Sequence, residues 1–320
     1  MTNIPLIEVP ENPLPSPFHV QYVVANDGAR LRIALAPLDE REAGAARGTV
    51  FVHPGWSEFI EKYGEVIEKL HTRGFHVAIN DPRGQGYSHR MKPNDERGLI
   101  RDFSQFTDDL NSIWRVVKAN FPPPYFILAH SMGGLIALDW LRREQKEGIA
   151  GAVLIAPLTG LIRAPTQRRI AKFLAHSLVA TGMGKRHIPG VKEQAMSFET
   201  NKLTHDKARH ERFRQLLLKA PEARAGAPKY AWVNAAFQAI DRIRQPQALA
   251  DITMPLLLIS AGADATVDRQ SHDILAAQYD QIELVQIEDA YHEILMEADQ
   301  YQTPLWTAID QYLESRLECI

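Results

Sequence analysis

A serine, an aspartate and a histidine stand, in that order, where this chain could perform nucleophilic chemistry. Ser131 follows the apolar run 125–130 and precedes a glycine-rich helix start, as in a G-x-S-x-G nucleophile elbow whose first glycine is Ala129. Asp264 and His292 each follow a later strand-like run. We expect Ser131 to attack a carbonyl carbon, His292 to carry its proton to the leaving group, and Asp264 to orient the imidazole.

Two other carboxylates compete with Asp264 for the role of the acid. Asp268 lies four residues further on, and Asp289 lies close to His292 in sequence. Asp264 is favoured because it comes directly after a strand-like run, which is where such an acid stands. Asp268 is expected instead to cap the next helix or to lie in its first turn.

The oxyanion of a tetrahedral intermediate needs hydrogen-bond donors, and two backbone N–H groups are candidates. Met132 follows the serine at a helix N-terminus, where N–H groups are unpaired. Trp56 lies in the loop after the strand-like run 48–52, and Gly55 lets that loop turn towards the site. We therefore expect Trp56 and Met132 to form the oxyanion hole.

The elements around these residues indicate an α/β fold. Apolar runs near 20–24 and 31–35, joined through Asn26-Asp27-Gly28, predict an antiparallel hairpin. Strand-like and helix-like segments then alternate, which predicts a mostly parallel sheet flanked by helices on both faces. The predicted elements are strands near 49–53, 75–80, 125–130 and 151–156, and helices near 58–73, 103–119 and 132–146.

The alternation breaks between residues 161 and 246, where the sequence is helical in character, with runs at 168–180 and 205–220. A helical insertion between two sheet strands is typical of a cap over an active site. We therefore predict a core formed by 1–160 and 247–320, with a cap at 161–246 inserted into it.

The predicted cap is basic, whereas the core is acidic. It holds 17 Lys and Arg against 6 Asp and Glu, and the rest of the chain holds 19 against 33. Two explanations of this charge are open. The basic side chains either lie on solvated helix faces or contact anionic lipid headgroups. In the second explanation, the protein contacts the membrane through apolar and basic side chains at helical spacing, namely Leu174, Leu178 and Val179 beside Arg168, Arg169 and Lys172.

Several other residues have structural interpretations. Strand alternation directs His130 away from Ser131, which favours a packing or hydrogen-bonding role. The segment 81–86 contains glycines without the spacing of a phosphate loop, so it is expected to support the floor of the site. Trp232 is compatible with lining an acyl pocket and with packing the cap, and the sequence does not separate the two.

Four motifs together resemble the bacterial lysophospholipase L2 family and its relative, monoacylglycerol lipase. They are AHSMGG at 129–134, PGWSE at 54–58, DPRGQGYS at 81–88 and AYHEIL at 290–295. The resemblance implies an α/β-hydrolase fold, with the triad and oxyanion residues at the positions already chosen. Monoacylglycerol lipases begin the oxyanion loop with His-Gly, whereas this chain has Pro54-Gly55, as the lysophospholipases do.

The expected activity is that of a serine carboxylester hydrolase acting on single-chain lipids, with lysophospholipid preferred as substrate. Monoacylglycerol, a broader carboxylesterase or thioesterase activity, a peptidase activity and a non-catalytic ligand receptor are the alternatives. Ser131 argues against a haloalkane dehalogenase, which has Asp at the elbow.

Length and composition agree with a globular enzyme. The 320 residues are 45% hydrophobic, enough for a large core. The first ten residues lack the features of a signal peptide, so a cytoplasmic location is expected, with contact at the inner membrane surface if the cap binds lipid. The single Cys319 forms no internal disulfide. No metal or organic cofactor is expected, because water completes the reaction. No nucleic-acid partner is expected either.

Overall fold

Within the described part of the chain, the fold is built on one eight-stranded sheet. The computed structural model describes residues 4–39, 44–90, 100–143, 147–161, 164–188 and 197–319. The strands are β1 (His19–Val24), β2 (Arg30–Ala36), β3 (Gly48–His53), β4 (Phe75–Asn80), β5 (Tyr125–His130), β6 (Ile149–Ile155), β7 (Leu256–Ala261) and β8 (Ile282–Ile287). Their order in the sheet is β1-β2-β4-β3-β5-β6-β7-β8.

The predicted mostly parallel sheet is confirmed. Strands β1 and β2 form the expected antiparallel hairpin, and β2 pairs antiparallel with β4. All later pairings, from β4 and β3 through to β8, are parallel. Parallel strands bring their carboxyl ends to one edge of the sheet, and that edge receives the residues that follow β3, β5, β7 and β8.

Helices cover both faces of the sheet, which explains why β3, β4, β5 and β7 are buried along their whole length. The helices are α1 (Gly64–His71), α2 (Ser104–Asn120), α3 (Met132–Leu141), α4 (Pro165–Ala180), α5 (Lys207–Lys219), α6 (Tyr230–Ile243), α7 (Gln270–Gln278) and α8 (Asp299–Leu317). One core contains α1 and α8, and the other contains α2, α3, α6 and α7.

Two predicted helices differ from the structure. The helix expected near 58–73 is split into a 3-10 turn at Ile60–Tyr63 and α1, because residues 57–59 still belong to the loop after β3. The helix expected at 132–146 ends at Leu141, and residues 144–146 lie outside the described part of the chain.

Helices α4, α5 and α6 lie between β6 and β7 along the chain. Two of them correspond to the helical runs expected at 168–180 and 205–220. The third, α6, buries Trp232, Ala236 and Ile240 in the same core as α3. The proposed cap limits, 161 and 246, stay a prediction. Among the described residues no helix is long and apolar enough to cross a bilayer.

Candidate active site

Ser131 stands at the sharp turn between β5 and α3. Its backbone angles are φ 51° and ψ −116°, a region that L-residues rarely adopt. Gly133 permits the turn to pack, because a Cβ there would lie 2.3 Å from the carbonyl oxygen of His53. Surrounding contacts hold this strained conformation, and the turn presents the Ser131 hydroxyl at the carboxyl edge of the sheet.

The three residues chosen from the sequence meet at this edge. His292 Nε2 lies 2.8 Å from Ser131 Oγ, and His292 Nδ1 lies 2.7 Å from Asp264 Oδ2. His292 is 3% exposed and Ser131 is 8% exposed, so the group is largely shielded from bulk water. Since a carboxylate only accepts, Nδ1 carries the proton and Nε2 is left to accept from the serine hydroxyl.

Asp264 is held by the loop after β7. Its Oδ1 accepts from the N–H groups of Thr266 at 2.7 Å and Val267 at 2.9 Å. Burial tends to raise the pKa of Asp264, but the attraction and hydrogen bond of His292, with the two N–H donors, hold it below the usual value. The carboxylate is therefore ionised and fixed when it faces the imidazole.

The two competing carboxylates lie elsewhere. Asp268 forms an ion pair with Arg168 at 2.6 Å, and Asp289 is exposed. The expectation that Asp268 caps or begins the next helix is wrong, because α7 starts at Gln270 with Arg269 at the N-cap. Only the main-chain carbonyl of Asp268 serves that turn, accepting from Ser271 N–H at 2.9 Å.

The loop after β3 is fixed on both sides of Trp56. Gly55 N–H donates to Glu58 Oε2, and Ser57 N–H donates to Gln85 Oε1 at 2.6 Å. Within the described part of the chain, the N–H of Trp56 has no protein acceptor, and neither has that of Met132 at the first position of α3. Both N–H groups belong to segments that border Ser131, as an oxyanion hole requires.

The segment 81–86 supports this loop, as its composition suggested. Gln85 Nε2 donates to the carbonyl of Gly55 at 2.9 Å, so one side chain holds the loop on both sides of Trp56. Asp81 in turn is bonded to the fully buried Arg32 at 2.7 Å. Gly84 and Gly86 have φ values of 81° and 51°, which allow the tight turn that this segment makes.

A buried charged cluster that the sequence pattern did not predict lies beneath the site. Lys62 Nζ lies 2.6 Å from Glu58 Oε1 and 2.9 Å from Glu293 Oε2, with all three side chains at most 9% exposed. Tyr63 donates its hydroxyl to Glu58 Oε2 at 2.6 Å. The available signals were the i, i+4 spacing of Glu58 and Lys62 and the position of Glu293 directly after His292.

His130 links that cluster to the catalytic histidine. Its Nδ1 lies 3.1 Å from Glu58 Oε2 and its Nε2 lies 3.2 Å from the carbonyl oxygen of His292. Burial acts to lower the pKa of His130, but the Glu58 carboxylate raises it above its usual value overall. Burial likewise acts to raise the pKa of Glu58, while Lys62 and His130 hold it well below. The hydrogen-bonding role expected for His130 is confirmed.

An apolar groove of about 560 Å³ lies between α4, α6 and the loop of the acid. A second cavity of about 310 Å³ contains Ser131 and His292 and shares Pro228 and Thr266 with the groove. Trp232 both lines the groove and packs on Trp56, with 4.6 Å between ring centroids. Of the two roles left open for this tryptophan, packing is observed, and the lining of an acyl pocket stays a prediction. Much of the groove lining is aliphatic or aromatic, including Leu161, Ile170, Leu174, Ile188, Val233 and Phe237.

Helix α4 carries three large apolar side chains on its outer face, and two of them, Ile170 and Leu174, also line the open groove. Phe173 is 75% exposed, Ile170 61% and Leu174 46%. Of the three apolar residues chosen from the sequence, only Leu174 belongs to this face. Leu178 and Val179 are partly buried, because that end of the helix packs near Gly184.

Comparison with known proteins gives consistent results. The model of the family Hydrolase_4, described as serine aminopeptidase, S33, matches residues 44–299. The chain is 30% identical over 301 residues to the probable lysophospholipase L2 of Haemophilus influenzae, and the match covers 92% of each of the two chains. It is 34% identical over 266 residues to the lysophospholipase L2 of Escherichia coli K12, covering 78% of this chain and 75% of that protein.

One solved structure shows the same fold at lower sequence identity. A soluble variant of the monoglyceride lipase of Saccharomyces cerevisiae, in complex with a substrate analog, superimposes with a TM-score of 0.74. The two chains are 20% identical, and the match covers 94% of this chain and 99% of that one.

Proposed function

Since the chain belongs to the Hydrolase_4 family of α/β hydrolases, alongside lysophospholipase L2, we propose that it hydrolyses the acyl ester of single-chain lipids with Ser131 as nucleophile. The observation that supports this proposal is that the catalytic residues lie next to an apolar groove. A hydrogen-bonded Ser-His-Asp set opens into a cavity that shares Pro228 and Thr266 with an apolar groove.

The geometry supports a two-step acyl transfer. Ser131 Oγ attacks the ester carbon while His292 Nε2 takes its proton, and the imidazolium is stabilised by Asp264. His292 then gives the proton to the leaving alcohol oxygen, which breaks the ester bond and leaves an acyl-serine. Water then attacks the acyl carbon as His292 takes its proton, and His292 returns that proton to Ser131 Oγ as the bond to the fatty acid breaks.

The N–H groups of Trp56 and Met132 are proposed to bind the oxyanion of both tetrahedral intermediates. Donors that are already oriented stabilise the developing charge without reorganisation, and removal of one such donor costs about 10²–10³ in kcat. Glu58 and Gln85 contribute by fixing the residues on either side of Trp56.

The apolar groove is proposed to hold the acyl chain. An alkyl chain gains about 0.8 kcal/mol for each methylene group that it buries, so this lining favours long-chain esters over peptides. Among lipids, we propose lysophospholipid as the preferred substrate, because the lysophospholipase L2 relatives are 30–34% identical whereas human monoglyceride lipase is 26% identical. Pro54-Gly55 in the oxyanion loop supports the same ranking.

One purified sample tests both levels of this proposal. A fluorophosphonate probe followed by peptide mass mapping is expected to modify Ser131, and Ser131→Ala is expected to lose both labelling and ester hydrolysis. Turnover of lysophosphatidylcholine, lysophosphatidylethanolamine and monoolein is then compared. A strong preference for monoolein would overturn the substrate ranking, and an unlabelled serine in folded protein would overturn the mechanism.

Contact with an anionic membrane is proposed through the outer face of α4. Phe173, Ile170 and Leu174 would enter the lipid surface, while the basic charge of 161–246 would attract anionic headgroups. The cytoplasmic location stays a prediction, and within it this contact would be made at the inner membrane surface.

Vesicle sedimentation tests the membrane contact. Binding is expected to rise with the content of anionic lipid, to fall with added salt and to weaken in Phe173→Ser. Leu218→Ser is the matched control, since Leu218 is 47% exposed but lies on α5. Salt-insensitive binding, or equal loss in both variants, would contradict the proposal.

A further inference from the structure

A further histidine, in addition to His130 and His292, is fully buried between the segment that supports the nucleophile and the segment that follows the acid. His272, in the first turn of α7, has 0% exposure. Its Nδ1 lies 2.8 Å from the hydroxyl of Ser260 in β7, and its Nε2 lies 2.8 Å from the carbonyl oxygen of Pro157. The reaction scheme uses neither of these contacts.

The contacts fix the protonation of His272. A carbonyl only accepts, so Nε2 must carry a hydrogen and donate to Pro157. Burial holds the pKa of His272 below the usual value, which keeps the ring neutral. The unprotonated Nδ1 then accepts from the Ser260 hydroxyl. The ring is therefore locked in one orientation by two buried hydrogen bonds.

Pro157 belongs to the support of the nucleophile elbow. The N–H of Leu158, the next residue, donates to the carbonyl of Ser131 at 2.9 Å. Pro157 also packs on the start of α3, since a Cβ on Gly134 would lie 2.6 Å from its Cβ. A shift of Pro157 therefore displaces the strained turn that presents the serine.

His272 lies in a segment that follows the loop of Asp264, and this segment is hydrogen-bonded to residues 159–160. The N–H of Asp268 donates to the carbonyl of Gly160 at 2.9 Å, and Thr159 Oγ1 lies 2.6 Å from Ser271 Oγ. Residues 157–160 are thus hydrogen-bonded along the segment 268–272, which continues directly from the loop of Asp264. These hydrogen bonds join the support of the elbow to the acid loop, and His272 and Thr159 are both 0% exposed there.

We infer that His272 is a positioning residue whose hydrogen bond to Pro157 sets the placement of the serine elbow relative to the acid loop. The inference rests on the proposed function, because it assigns His272 a role only through the reaction of Ser131. A displacement of about 1 Å between reacting groups costs on the order of 10²-fold in rate. One buried bond can therefore matter for turnover without touching the substrate.

Two conservative substitutions separate the two hydrogen bonds. His272→Gln keeps a donor that reaches Pro157, whereas His272→Asn keeps an acceptor near Ser260 and loses the bond to Pro157. Hydrolysis of p-nitrophenyl butyrate is measured per active site, counted by fluorophosphonate labelling. We expect kcat per labelled site to fall about ten- to hundredfold in His272→Asn with KM unchanged, and to be largely restored in His272→Gln.

Matched controls distinguish an effect of the substitution on the position of the serine from a loss of folding. Ser260→Ala removes only the bond to Nδ1 and is expected to retain most of kcat. His76→Asn alters another buried histidine, which accepts from Leu38 N–H at 3.0 Å at the opposite edge of the sheet. It is expected to lower thermal stability while leaving kcat per labelled site unchanged.

A spectroscopic readout keeps this test separate from the proposed function. The downfield proton resonance of His292 Nδ1–H reports the bond to Asp264 whether or not the enzyme turns over an ester. We expect it to shift or broaden in His272→Asn and to persist in His76→Asn. An unchanged resonance with unchanged kcat per site would overturn the inference, whereas a wild-type protein without labelling or turnover would overturn the proposed function instead.

Discussion

The side chain of His130 is hydrogen-bonded to the main chain of His292, with 3.2 Å between Nε2 and the carbonyl oxygen. The residue before the nucleophile thereby holds the loop that carries the base. The opposite ring nitrogen faces Glu58, whose carboxylate raises the pKa of His130 despite burial. A charged ring donates from both nitrogens, so the ion pair and the loop contact reinforce each other.

The stabilisation from His130 should depend on pH. Because its folded pKa lies above the ordinary value of 6.5, its contribution is fully present below pH 6.5 and is lost as the pH rises through the raised pKa. Urea unfolding from pH 6 upwards should show the stability difference between wild type and His130→Gln shrinking. The same substitution at the exposed His176 is the control, and a difference that grows with pH would contradict this account.

Removal of Lys62 should destabilise the protein strongly. Lys62→Met leaves Glu58 and Glu293 buried without their shared cation, and loss of one partner of a buried ion pair costs about 3–5 kcal/mol. Lys69→Met is the matched control, because the Lys69–Glu65 pair is partly exposed and such pairs contribute about 0–1 kcal/mol. Equal free energies of unfolding for the two variants would show that the buried cluster is not critical.

Asp264 and Asp268 should differ sharply in their effect on turnover. Asp264→Asn removes the group that orients the imidazole of His292, and the expected loss in kcat is about 10⁴-fold. Asp268→Asn weakens only the pairing with Arg168, whose two side chains are 24% and 22% exposed. Steady-state hydrolysis of p-nitrophenyl butyrate compares them, and a comparable loss in Asp268→Asn would reassign the acid.

Trp232 should control the preference for long acyl chains. Truncation in Trp232→Ala removes part of the groove wall and its contact with Trp56. We expect kcat/KM for a long-chain ester to fall about tenfold more than for a butyrate ester, since methylene contacts are lost only by the longer chain. Trp306→Ala in α8, on the other face of the sheet, should lower stability without changing that ratio.

Local patterns in the sequence determine much of the order of strands and helices in this protein. Strand and helix periodicities are properties of short segments, so the alternation of elements and the hairpin at the start could be derived without a structure. The residues Ser131, Asp264 and His292 could also be chosen, because each follows a strand and parallel strands end at one edge. Their roles in the reaction remain a proposal, whereas their proximity is a property of the fold.

Only the tertiary structure decided which buried polar groups surround those residues. Glu58 and His130 are 72 positions apart, and Pro157 and His272 are 115 apart, so neither pairing leaves a periodic trace in the sequence. Which face of α4 lies outward was likewise set by packing against its neighbours, and Leu178 and Val179 proved to be partly buried. The physical reason is that periodicity specifies an element and its apolar face, while burial and partner choice depend on how distant elements are packed together.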